Sequence, residues 1–218
     1  MSNSLIQLLV LAAIAVFLIL RLRNVLGTRD GFEPSANEDA PVQRRMEVIE
    51  DDPRISDSDL TDHVDAESPA YAALVEMKRV EPSFSLTEFL GGAKQAYEMI
   101  LVAFEKGDIS EVRGFLSPEV AQAFDAAIAA RQNSGHTTEV QFLGTRETAL
   151  SAAEFHSHNA SAELSVRFVG EMIVATRDPT GAVIDGDAKT PRKQRDTWTF
   201  ERQMGAADPN WQLVATGG

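Results

Sequence analysis

Near Thr137 the spacing of apolar residues changes from three-and-four to two, and this change constrains the fold more than any other feature of the chain. Before it, Leu86, Phe89, Leu90, Ala93, Ala96, Tyr97, Ile100, Leu101 and Phe104 recur at helical spacing and form a wide apolar stripe. After it, Ala162, Leu164, Val166, Phe168, Met172 and Val174 alternate with Glu163, Arg167 and Glu171. A stripe of the first kind is buried by a helix and an alternation of the second kind by a half-covered strand. Helices followed by an antiparallel sheet make an α+β domain.

Local signals punctuate both halves. Ser68 and Pro69 suit the start of a helix with Tyr71, Leu74, Val75 and Lys78 on one face, and Pro82 stops it. Gly107 suits the end of the long helix, and Asp108 with Glu111 suits the start of a short one. Ser117 and Pro118 open the next, with Val120, Phe124, Ala127 and Ile128 inward and Gly135 at its end. "TEVQFLGTRETALSAAEF", "ASAELSVRFVGEMIVAT", "DTWTFER" and "NWQLVAT" read as strands, with turns at "DPTG" and "ADPN". Gly170, in mid-strand, predicts a bulge or bend. A sheet curved there and closed by helices on its concave side forms a cone with an apolar pocket.

Ahead of the domain, "SLIQLLVLAAIAVFLILRLRNVLG" carries no charge from Leu5 to Leu20. That run is short of the roughly 20 residues a bilayer needs, but Leu22, Val25 and Leu26 extend it, and Arg21 and Arg23 can snorkel. A cleaved signal peptide would need a basic residue before the run and a small-x-small site after it, and neither is present. Residues 1–27 therefore read as a single-pass anchor, with Leu5, Leu11, Phe17 and Leu20 in the lipid and Arg21 and Arg23 at its edge. The charges after the span place the N-terminus outside and the C-terminal part in the cytoplasm.

Residues 28–67 are rich in charge and proline and sustain no period, which predicts a flexible acidic linker. Residues 28–83 hold 15 acids against 6 bases and residues 84–218 hold 18 against 12, so the net charge of −13 is concentrated in the linker. An acidic chain is repelled by phosphate backbones, so no nucleic-acid partner is expected. The absence of cysteine removes disulfides and thiolate chemistry.

"EPSFSLTEFLGGAKQAYEMILVAFEKGD", "FLSPEV", "VRFVGEMIVATRDPTGAVIDGD", "WTFER" and "DPNWQLVAT", with the anchor "FLILRLRNVLG", resemble the bacterial TimA family. Its members are membrane-anchored relatives of the C-terminal domain of the forty-four-kilodalton subunit of the mitochondrial inner-membrane protein translocase. The resemblance covers residues 1–27 and 68–216. It implies a cone of the nuclear-transport-factor-two type over residues 68–218. It further implies a non-catalytic adaptor in the bacterial inner membrane, tied to protein translocation or membrane-protein assembly, with protein partners and no cofactor. The mitochondrial relatives tether a chaperone of the seventy-kilodalton heat-shock class through a long region ahead of this domain. Here an anchor and a short acidic segment stand in its place.

Several residues invite chemistry. Glu154, His156 and His158 lie two apart, with His136 as a fourth candidate ligand, but such a stretch reads equally as a solvated strand end, and no metal is expected. Tyr97 with Asp196 could serve as acid and base, yet no nucleophile, base and orienter can be assembled, and no enzyme is expected. The pocket candidates are Tyr97, Ile100, Phe104, Phe168, Trp198, Phe200 and Trp211, which would line a groove for an apolar segment or acyl chain or else pack a core. Lys189, Arg192, Lys193 and Arg195 form a basic loop that could meet anionic lipid, a partner or the acidic linker, or simply be solvated. The alternative function is a membrane-tethered lipid- or small-molecule-binding cone.

Overall fold

The computed structural model describes residues 58–217. Among these residues four α-helices precede the sheet: α1 Ser58–Thr61, α2 Pro69–Val80, α3 Leu86–Lys106 and, after a 3-10 turn at Ser110–Phe115, α4 Pro118–Asn133. Five strands follow: β1 Thr137–His156, β2 Ser161–Arg177, β3 Val183–Gly186, β4 Arg192–Gln203 and β5 Gln212–Gly217. They pair antiparallel in the order β1-β2-β4-β5, with β3 joined to the far end of β2. Helices α2 and α3 lie against β1, so the molecule is helices on an antiparallel sheet, as the change of period requires. The predicted anchor, residues 1–27, lies outside the described residues. Among the described residues no helix is long and apolar enough to cross a membrane.

The helix boundaries follow from capping. The Ser68, Ser85 and Ser117 hydroxyls accept from the backbone N–H groups of Tyr71, Glu88 and Val120, and Pro69 and Pro118 occupy first turns where no N–H is needed. Gly107 ends α3 at φ 81°, in the left-handed region that glycine enters without strain. Inside α3, Gly91 and Gly92 each cost about 1 kcal/mol of helix propensity. Seven buried side chains on the same helix outweigh them, at about 1.5–3 kcal/mol for each large one.

Strand β2 is the spine of the core. Ala162, Leu164, Val166, Phe168, Met172 and Val174 are all at most 2% exposed, in the phase the alternation predicts. Gly170 keeps that phase, and its pairing with β4 is unbroken from Ser161 to Met172, so it makes no bulge. The register shifts fall on the neighbouring β1, after Phe142, Thr145 and Leu150. Gly170 is small for another reason: a Cβ there would stand 2.7 Å from the Tyr97 hydroxyl oxygen.

Two further expectations are corrected. The domain begins ahead of Ser68, because Leu60 of α1 is fully buried in the core and Asp59 bonds to the start of α3, so the linker predicted over residues 28–67 gives up at least its last ten residues. The basic segment is not all loop. Lys189 sits in the excursion between β3 and β4, whereas Arg192, Lys193 and Arg195 belong to β4, where Arg192 pairs with Asp185 at 3.7 Å.

Candidate functional site

A groove of about 470 Å³ opens between the first half of α3 and the turn into β5. One wall is the α3 face that carries Ser85, Glu88, Phe89, Gly92, Ala93, Gln95, Ala96 and Met99. The other comprises Phe84, Phe115, Phe200, Arg202 and the run Pro209–Trp211. Three aromatic contacts set its floor: Phe89 to Trp211 at 4.7 Å, Phe89 to Phe200 at 6.0 Å and Phe84 to Trp211 at 6.1 Å between ring centroids. At the rim Met99 is 48% exposed. A Cβ on Gly92 would meet nothing within 4 Å, so Gly92 leaves the mouth open where a larger side chain would narrow it.

The two groove residues of opposite charge that lie deepest, Glu81 and Arg202, are fixed by one another. Arg202 is buried at 9% exposure. Its guanidinium donates to Glu81 Oε2 at 2.6 Å and to the Pro209 carbonyl at 3.3 Å, and it stacks 5.3 Å from the Trp211 ring centre. Among the described residues its Nε has no hydrogen-bond partner. Glu81 also accepts the Gly205 N–H at 2.9 Å. Burial alone would raise the Glu81 carboxyl, but Arg202 and the Gly205 N–H outweigh it and hold the group below its ordinary value. An ionised Glu81 therefore stays with Arg202, which keeps Trp211 in place. The groove can bind apolar surface, and its ion pair orients the wall.

The sequence-predicted pocket residues divide. Phe200 and Trp211 line the groove. Tyr97, Ile100, Phe168 and Trp198 fill the core behind it. Tyr97 stacks on Phe168 at 4.4 Å and meets Trp198 edge-on at 4.8 Å. Phe104 lies elsewhere, half-buried against Phe124 at 4.7 Å and beneath Arg131. Only Phe200 and Trp211 are shared with the sequence-based set; among the groove residues absent from it are Phe84, Phe89, Gly92, Met99, Phe115 and Arg202. The available signal was the Gly91–Gly92 pair on an otherwise apolar helix.

The Tyr97 hydroxyl donates to Asp196 Oδ2 at 2.6 Å, and Gln194 Nε2 donates to Asp196 Oδ1 at 3.1 Å. Burial, reinforced by the Asp196 carboxylate, pushes the Tyr97 phenol far above its ordinary value, so it stays protonated. Neither Tyr97 nor Asp196 lines the groove. His156 ends β1 and His158 lies in the following turn, their ring centres 6.1 Å apart. Among the described residues, no three His, Asp or Glu side chains come together as a metal site would need.

The model of the Tim44-like domain matches residues 70–218. Among curated proteins, the chain is 22% identical over 191 residues to mitochondrial import inner membrane translocase subunit TIM44-1 of Arabidopsis thaliana. That alignment covers 83% of this chain and 40% of the relative, so the chain spans less than half of the relative's length. Among solved structures, the intermembrane space region of the chloroplast protein ARC6 aligns with a TM-score of 0.39 at 12% identity, over 60% of this chain and 92% of that one. That distance is too great to assign a fold.

Proposed function

The chain belongs to the Tim44-like domain family, and from that premise we propose that it is a non-catalytic adaptor in protein translocation or membrane-protein assembly. Its groove takes an apolar segment of a partner or client protein. The observation that carries this reading is the groove itself: an aromatic floor of Phe84, Phe89, Phe200 and Trp211, with its buried ion pair, Glu81 and Arg202, already satisfied internally. Such a surface gains by burying apolar area at about 25 cal/mol per Å². The apolar run at residues 1–27 supports a single-pass anchor, which would hold the groove near a bilayer, in the manner of the bacterial TimA branch. The name of the Arabidopsis relative, an inner membrane translocase subunit, agrees with that setting.

Photo-crosslinking in native membranes tests the proposal. A crosslinker at Met99, on the rim, is expected to trap translocation components or nascent membrane proteins that a control at exposed Glu111 does not trap. Adducts with lipid or a small metabolite alone would instead favour a membrane-tethered ligand-binding domain.

A further inference from the structure

We infer that the segment around α1 is a strap that holds the groove's mouth in shape, so that release of the strap loosens the groove. The inference rests on the groove reading above and concerns its regulation. Asp59 joins two helices across a long stretch of chain. Its Oδ2 accepts from the Leu86 N–H at 3.0 Å and pairs with the Lys78 ammonium at 2.9 Å. Its Oδ1 accepts from the Ser85 hydroxyl at 3.0 Å and the Thr87 N–H at 3.1 Å. One carboxylate thus caps the first turn of α3 and ties it to the last turn of α2.

Two further contacts fasten the strap. Leu60 is fully buried, and His63 Nε2 lies 2.9 Å from the Thr87 hydroxyl. The fastened turns are the ones that shape the groove. Glu81, Ser83 and Phe84 lie on the link between Lys78 and Leu86, and Glu88 and Phe89 lie on the capped first turn; all five line the groove. The link has no regular structure of its own: Asp59 holds it where it enters and leaves, and between them Glu81 is paired with Arg202 and the Gly205 N–H. Lys78 is 5% exposed, so without Asp59 its ammonium is a buried charge deprived of its carboxylate, and the last turn of α2 loses its tie to α3. The chain ahead of Ser58 leads directly into the strap, so a pull on it reaches Asp59 and Leu60 before the rest of the domain.

Hydrogen exchange on the full-length chain in detergent tests the inference, comparing wild type with Asp59→Asn and Leu60→Ala. The second variant frees the strap without touching a charge. Both are expected to speed exchange of the amides from Ser83 to Phe89 by at least about tenfold and to leave β2 unchanged. Faster exchange confined to α1 would overturn the inference, since the strap would then be an appendage. Acceleration spread evenly through β2 would overturn it too, since the strap would then serve the whole fold. The readout is independent of binding: failure of the groove reading appears as no peptide binding by wild type, and failure of this inference as unmoved exchange from Ser83 to Phe89.

Discussion

Replacing Gly170 by alanine adds one methyl group at the most crowded point of the core. The new Cβ would lie 2.7 Å from the Tyr97 hydroxyl oxygen, 3.2 Å from Cε1 and 3.4 Å from Cζ. Tyr97 is fully buried, stacked on Phe168 and bounded by Trp198, and its hydroxyl is fixed to Asp196 at 2.6 Å. The ring can yield only by breaking that bond or by pressing on its neighbours. Overpacking costs about 1–3 kcal/mol. Loss of the hydrogen bond adds about 1–3 kcal/mol. The opposing gain, from reduced freedom of the unfolded chain, is about 0.4–1 kcal/mol. Gly170→Ala should therefore destabilise by about 1–5 kcal/mol in urea denaturation, where removal of the hydroxyl in Tyr97→Phe relieves the closest contact. The double variant should be more stable than the sum of the single effects predicts, by about 0.5–3 kcal/mol. A neutral Gly170→Ala, or strict additivity, would refute the explanation that Gly170 exists to clear Tyr97.

Other outcomes follow from the same contacts. Because the folded phenol of Tyr97 titrates above its unfolded value of 10.0, the native state keeps a proton that the unfolded chain gives up, so stability falls as pH rises past about 10. Tyr97→Phe should flatten that limb in denaturation measured against pH. For Asp59, burial opposes ionisation, but Lys78 and the Thr87 and Leu86 N–H groups outweigh it and hold the carboxyl well below its unfolded value of 3.8. Its contribution is present above that pH and is lost as the pH falls below it. Asp59→Asn should cost about 3–5 kcal/mol at neutral pH, the scale of a broken buried ion pair, and the gap to wild type should narrow in acid.

The elements were legible where local chemistry decides them. Two serine caps, Ser68 and Ser117, two first-turn prolines and Gly107 mark helix ends using only neighbours in sequence, whereas the Ser85 cap was not read. The phase of β2 was legible because each of its inward residues repeats the same message. What depends on distant partners was not. Leu60 is buried by residues far along the chain, within a segment whose composition is that of a solvated tether. Ala127 fits the inward face of α4 by spacing yet is exposed, since a methyl group carries little preference. The aromatics of β2 and β4 point inward as their alternation requires, but spacing does not distinguish a side chain that lines a cavity from one that fills it. Gly170 resolves the case: by admitting Tyr97 to the sheet, it closes the centre of the domain and leaves the open apolar surface at Phe84, Phe89 and Trp211.

The account's central claim is that this groove binds apolar protein segments, and Gly92 provides the most direct test. A side chain there enters open space, and removing a helix glycine gains about 1 kcal/mol, so Gly92→Leu should fold at least as stably as wild type while filling the groove. The measurement is the affinity of the full-length protein in detergent for a Leu- and Ala-rich amphipathic helical peptide, read from tryptophan fluorescence. The account predicts binding by wild type and a loss of at least about tenfold in Gly92→Leu, or 1.4 kcal/mol, with the melting temperature unchanged or raised. Equal affinity in the two proteins would contradict it.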